Sequence, residues 1–195
     1  MDGQEEHMDF SKEFEQYMSR KRDEMRNTYH RVLPSGELIF NRFEKGRYLN
    51  CGENSSVYDT SVVMGDVKIG DHVWVGPYTL LEGSNASLSI GNFVSIDAGV
   101  MIYTHDSTKY YLSGGKCPFE SGDVSIGDYT VIGTMSMIGY GVKIGSHCVV
   151  AANSYVNQDV PDWSIVAGNP AKVIGRVVPD EKEGIRFEYE KRNSK

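Results

Sequence analysis

The amino-acid sequence predicts a β-solenoid wound from six-residue repeats, on three observations. An aliphatic residue recurs at intervals of six, at Val57, Val63, Ile69, Val75 and Leu81, then Ile90, Ile96 and Ile102, then Ile126, Ile132, Ile138, Ile144, Val150 and Val156. Glycine follows directly at Gly70, Gly76, Gly91, Gly127, Gly133, Gly139 and Gly145. Four residues after the aliphatic the side chain is small or modest, as at Ser61, Val73, Thr79, Val94, Thr130, Ser136, Cys148 and Ser154. An α-helix has no period of six, and a hairpin sheet alternates every two residues without a fixed glycine phase. Each hexad therefore reads as a very short strand and a turn, with the aliphatic residue and the one four later pointing inward. Three hexads complete a coil of about 18 residues, so similar side chains stack from coil to coil. The glycine phase marks corners too tight for a side chain. Cys148 falls on an inward phase and reads as a small core residue.

The chain divides into three parts: 1–56, a helical segment and connection; 57–178, the solenoid; and 179–195, a charged peripheral tail. In 9–31, Phe10, Phe14, Tyr17, Met18, Met25 and Tyr29 recur close to helical spacing, with charges between them. Pro34 and Gly36 break that helix, and residues 37–56 show no clear period. The helical segment is expected to cover an open end of the solenoid. A chain of 195 residues with net charge −7 lacks the excess of Lys and Arg that nucleic-acid binding needs. No run is long and apolar enough to span a bilayer. Cys51, Cys117 and Cys148 form no CxxC, so reduced thiols and a cytoplasmic location are expected.

Two breaks interrupt the register. Between Leu81 and Ile90 the phase slips by three; after Ile102 the next in-phase aliphatic is Ile126, 24 residues on. Since 24 is a multiple of six, residues of about 103–123 are an excursion from one corner, after which the solenoid resumes. A loop of that length in a regular solenoid reads as functional. Stacking places Ile102 over Leu81, with Ile138 on its other side, so that Tyr103 to His105 emerge beside Glu82 to Asn85. Glu82 is then within reach of the His105 imidazole, which gives a base and a group to orient it. Asn85, Tyr103, Lys109 and Tyr110 are the candidate substrate-binding residues, with Lys109 to Phe119 as a wall. His72 and His147 share one phase with Phe93 and Tyr129 between them, which puts them about 14 Å apart, too far to share a metal.

The register, the hexads "IGDHVWVG" and "IGDYTVIG", and the closing "VPDWSIVAGNPAKVIGRVV" resemble the left-handed β-helix acyltransferases over residues 57 to about 178. The left hand is implied by this resemblance alone, since crossovers between parallel strands are otherwise right-handed. The resemblance implies acetyl-CoA as donor, no metal, a homotrimer with sites between subunits, and a catalytic histidine at the start of such a loop, matched by Thr104 and His105. The "LSGGK" segment is similar to members acting in surface-polysaccharide pathways. The galactoside and maltose branch usually has proline after the histidine, where this chain has Asp106, which points away from a simple free-sugar acceptor. For coenzyme A, the family's positions fall on Thr134, Ala152 and Lys172, with Arg176 as a second cation; Asn157 and Gln158 stand where Thr-Lys is often found.

The resulting expectation is an acetyl-CoA-dependent O-acetyltransferase of a sugar or saccharide hydroxyl, with His105 and Glu82 as the catalytic pair. The alternatives are N-acetylation of a nucleotide-linked amino sugar and, more distantly, a γ-type carbonic anhydrase or a non-catalytic scaffold.

Overall fold

The six-residue period becomes a stack of two-residue strands joined by tight corners in the computed structural model, which describes residues 3–190. Parallel pairing stacks Ser56–Val57, Trp74–Val75, Ser95–Ile96, Val131–Ile132, Val149–Val150 and Ser164–Gly168 in one column. A second column runs through Val63, Leu81, Ile102, Ile138 and Val156, and a third through Ile69, Ile90, Ile126 and Ile144. This is the expected β-solenoid, and Ile102 does lie between Leu81 and Ile138. Leu81, Ile96, Ile102, Ile132 and Ile138 are completely buried. Each such side chain is worth about 1.5–3 kcal/mol relative to exposure.

Where the second inward residue carries a hydroxyl, it also ties the coils together. Ser55 Oγ donates to the Gly70 carbonyl (2.7 Å) and accepts from the Val73 amide (2.9 Å). Thr130 does the same with Gly145 and Cys148, and Ser136 with Ala151 and Ser154.

The repeat glycines are needed for close approach and not for a left-handed backbone. None of them has positive φ; that conformation falls two residues later, on His72, Tyr78, Phe93, Tyr129, Met135, Gly141 and His147. A Cβ on Gly127 would lie 2.6 Å from the Gly145 carbonyl carbon and 2.6 Å from the Ser146 amide nitrogen. The Asp or Asn after the glycine reaches to the neighbouring coil: Asn92 Oδ1 accepts from the Asp71 amide (2.8 Å), and Asp128 Oδ1 from the Asn92 amide (2.7 Å). One corner carries a continuous ring stack, His72, Phe93, Tyr129, His147 and Trp163, with centroids 4.3, 5.5, 4.7 and 3.8 Å apart.

Both ends are covered. Helix α1 (Gly3–Tyr29) begins before the segment the sequence pattern marks, and buries Met18. The connection without a period contains two helices too short to show one, α2 (Ser35–Ile39) and α3 (Arg42–Tyr48). The Asn41 side chain caps α3 by accepting from the Phe43 amide (2.8 Å). Gly46 packs so closely that a Cβ would lie 2.6 Å from the Ser55 carbonyl oxygen. Lys45 Nζ donates to the carbonyls of Tyr58, Asp59 and Ser61 (3.0, 2.8 and 2.7 Å), which fastens α3 to the first coil. Burial lowers the pKa of that ammonium. At the other end the chain turns at Gly168, with φ 105°, into the antiparallel strand Ala171–Asp180. Residues Gly184–Tyr189 of the charged tail pair with that strand and leave all their side chains exposed. No helix among the described residues is long and apolar enough to cross a membrane.

Because the atoms nearest a Cβ on Gly127 are backbone atoms and the Ser146 hydroxyl of the next coil, Gly127→Ala is expected to cost about 1–3 kcal/mol. Urea unfolding measures it; an unchanged midpoint would mean the coils can part at no cost.

Candidate active site

Both insertions into the repeat fall on the corner between the second and third columns. Gly65 pairs with Gly83 and Val67 with Leu88, so Asp66 alone faces Ser84, Asn85, Ala86 and Ser87. Those extra residues bulge outward on the coil before the excursion. The excursion leaves after Ile102 and returns at Val124, which pairs with Leu88. Its two ends are held together: Thr104 O accepts from the Gly122 amide (3.0 Å), and His105 and Asp106 pair antiparallel with Ser121 and Glu120. Asp106 accepts from the Thr108 amide (2.6 Å) at the start of α4 (Thr108–Leu112), and the Thr108 side chain and then its amide lower the Asp106 pKa. Ser113 Oγ accepts from the amides of Lys116 and Cys117 (3.1 and 2.9 Å).

At the foot of this loop lies a buried carboxylate. Glu82, 2% exposed, accepts at Oε1 from the Ser84 amide (2.7 Å). Its Oε2 accepts from the Thr104 amide (3.1 Å) and hydroxyl (3.0 Å), and lies 2.9 Å from His105 Nδ1. Burial alone would push the Glu82 carboxyl up, but the bonds from His105, Ser84 and Thr104 outweigh it and bring the pKa to about 2. An ionised carboxylate only accepts, so His105 Nδ1 carries a proton, and in the neutral ring Nε2 is then the nitrogen with the lone pair. The ring is also held by packing: Phe119 stacks on it at 5.6 Å and 10°, Tyr103 meets it edge-on at 6.3 Å, and Tyr110 packs edge-on against Phe119 at 5.0 Å.

The family model "Bacterial transferase hexapeptide (six repeats)" matches residues 123–158. That segment therefore carries the hexapeptide repeat this model describes. Chloramphenicol acetyltransferase of Morganella morganii is 32% identical over 121 residues, covering 53% of this chain and 58% of the relative. Serine acetyltransferase 4 of Arabidopsis thaliana is 39% identical over 103 residues, covering 52% of this chain and 28% of the relative. The chain therefore spans less than two thirds of the length of these curated relatives. A hexapeptide-repeat-containing acetyltransferase of Vibrio cholerae matches with a TM-score of 0.64 at 26% identity, over 84% of this chain and 92% of its own. A structure of the Vibrio cholerae O1 biovar eltor protein complexed with acetyl-CoA matches with a TM-score of 0.61 at 29% identity, over 81% of this chain and 84% of its own.

The remaining candidate residues of this hexapeptide-repeat protein divide by corner. Asn157 continues a line from Tyr103 through Gly139, so Asn157 and Gln158 share the His105 corner two coils away. Thr134 and Ala152 occupy the other edge of the second column on successive coils, and Lys172, paired with Ala167, carries that edge onward. Arg176 pairs with Ser164, at the opposite end of that rung and about 10 Å from Lys172 by strand spacing. Asn85 is exposed on the bulge, and Lys109 is engaged with Glu120 at 2.7 Å. The contacts of Phe119 and of the Thr104 hydroxyl with this pair are not legible in sequence, because both depend on the path of the loop.

The Glu82 carboxyl falls from its ordinary 4.5 to about 2 on folding, so its pairing contributes stability above pH 4.5 that is lost as the pH drops toward 2. Glu82→Gln is expected to be less stable than wild type at pH 7, with the difference narrowing between pH 4.5 and 2. Urea midpoints across that range measure it; a constant difference would count against a charged Glu82.

Proposed function

We propose that this protein moves an acetyl group from acetyl-CoA to a hydroxyl of a sugar or saccharide, with His105 as general base. The contact between His105 Nδ1 and the buried Glu82 carboxylate, which leaves Nε2 free beside the loop, carries the reading. Nε2 removes the acceptor proton as the oxygen attacks the thioester carbonyl carbon. Collapse of the tetrahedral intermediate breaks the C–S bond, and the imidazolium returns its proton to the departing thiolate. Glu82 stabilises the imidazolium, and backbone amides near His105 stabilise the oxyanion. Support for the donor comes from the Vibrio cholerae relative solved with acetyl-CoA. Thr134, Ala152 and Lys172, on one edge, would hold the coenzyme, with Asn157 and Gln158 near the acetyl end. Asn85, Tyr103, Lys109 and Tyr110 would line the acceptor side. The same reading puts the reaction in the cytoplasm, in the supply of acetylated units for a surface polysaccharide.

A hydroxyl is a poor nucleophile until a base removes its proton, whereas a neutral amine needs less help. An oriented, carboxylate-backed imidazole therefore favours ester formation. His105→Ala is expected to lower turnover with acetyl-CoA and an accepted sugar about 10²- to 10⁴-fold. Retention of the rate within threefold would overturn the mechanism, and an amide product would favour acylation of a nucleotide-linked amino sugar instead.

The reading includes a homotrimer with sites between subunits. It is supported by an outward apolar column of Val62, Leu80, Met101, Met137 and Tyr155, in which Val62 is 49% exposed and both methionines 39%. The His105 corner borders this face on one side and the Thr134 corner on the other. Sedimentation is expected to give a trimer for wild type and smaller species for Met137→Glu; a monomeric wild type would remove this part of the reading.

A further inference from the structure

We infer that Thr104 is a positioning residue for the proposed reaction: its hydroxyl fixes the Glu82 carboxylate and, through it, the proton on His105 Nδ1. The inference rests on the reading of His105 as base and adds a residue to which that reading gives no role. Thr104 is completely buried, and its amide, hydroxyl and carbonyl are all engaged. Its amide and hydroxyl both donate to Glu82 Oε2, while its carbonyl accepts from Gly122 at the returning end of the loop. One residue thus joins the preceding coil, the departing chain and the returning chain.

The side-chain bond has one possible direction. A carboxylate held near pKa 2 has no proton to give, so the hydroxyl donates. Glu82 Oε1 is held by the Ser84 amide, and Oε2 by two donors from Thr104 besides the imidazole. Without the hydroxyl, Oε2 keeps one fixed backbone donor and the carboxylate gains freedom to turn. The imidazole then loses the fixed acceptor that keeps its proton on Nδ1, and a part of the population presents a protonated Nε2 that cannot act as a base.

Thr104→Val keeps the branched shape and removes the hydroxyl; Thr104→Ser keeps the hydroxyl. In the full-length protein, the ¹⁵N spectrum of His105 at a pH where the ring is neutral is expected to show the Nδ1–H tautomer for wild type and Thr104→Ser, and a mixture for Thr104→Val. With acetyl-CoA and an accepted sugar, Thr104→Val is expected to lower kcat about 10-fold with KM little changed, and Thr104→Ser to stay within about twofold of wild type. The inference is overturned if Thr104→Val keeps the wild-type tautomer, or if Thr104→Ser loses it. Should Thr104→Val not fold, Thr104→Ala, which also lacks the hydroxyl, takes its place, and an unchanged tautomer there overturns the inference. The tautomer is read without any substrate, so a failure of the acetyl-transfer reading leaves this test standing and is told apart from it.

Discussion

The structure depends on how closely one coil lies on the next. Successive coils pass backbone to backbone, near enough that a single Cβ at Gly127 would overlap main-chain atoms of the Gly145–Ser146 turn. At that separation the amides and carbonyls of each short strand find partners above and below, which suffices to order strands of two residues. The same closeness leaves no room for a length change within a rung. Extra residues are accommodated only at corners, where the chain can swing outward and return in phase. The bulge at Ser84–Ser87 and the excursion after Ile102 obey this rule, and they do so at one corner on adjacent coils.

That coincidence makes a buried charge tolerable. A carboxylate at Glu82 would be costly among apolar neighbours without donors. The bulge turns the Ser84 amide toward Oε1, while the departing loop brings the Thr104 amide, the Thr104 hydroxyl and His105 Nδ1 toward Oε2. Dependence is mutual, since the buried Thr104 amide would itself lack an acceptor if Glu82 were absent. The two irregularities and the carboxylate are therefore one arrangement.

The column of Leu81, Ile102 and Ile138, and the meeting of Glu82 with His105, were legible because in a solenoid neighbourhood is arithmetic: add a coil, correct for the slip. The aromatic column from His72 to His147 was legible for the same reason. What lies outside the period was not. The helices Ser35–Ile39 and Arg42–Tyr48 are shorter than two turns and form on the Asn41 cap and on contacts such as Lys45 with the first coil, so no local pattern announces them. Strand Gly184–Tyr189 exposes every side chain, which removes the alternation that would have marked it. The stack of Phe119 on His105 depends on pairing between the loop's two ends, and pairing across an irregular loop leaves no periodic trace. The glycine phase was visible, but its reason was not: the positive φ sits two positions later, mostly on larger residues, and the glycine serves the neighbouring coil.

The depth of the Glu82 pKa limits what this carboxylate can do. At about 2 it stays ionised throughout the neutral range, so it has no tendency to take the Nδ1 proton when Nε2 gains one. A proton relay through the pair would need the two groups to be closely matched, and the donors around Glu82 prevent that. For the base proposed at His105, two effects remain: a fixed tautomer before proton transfer and a nearby negative charge after it. Both depend on where the carboxylate oxygens point. The burden therefore falls on the donors that hold them: the Ser84 amide from the bulge, and the amide and hydroxyl of Thr104 where the loop departs.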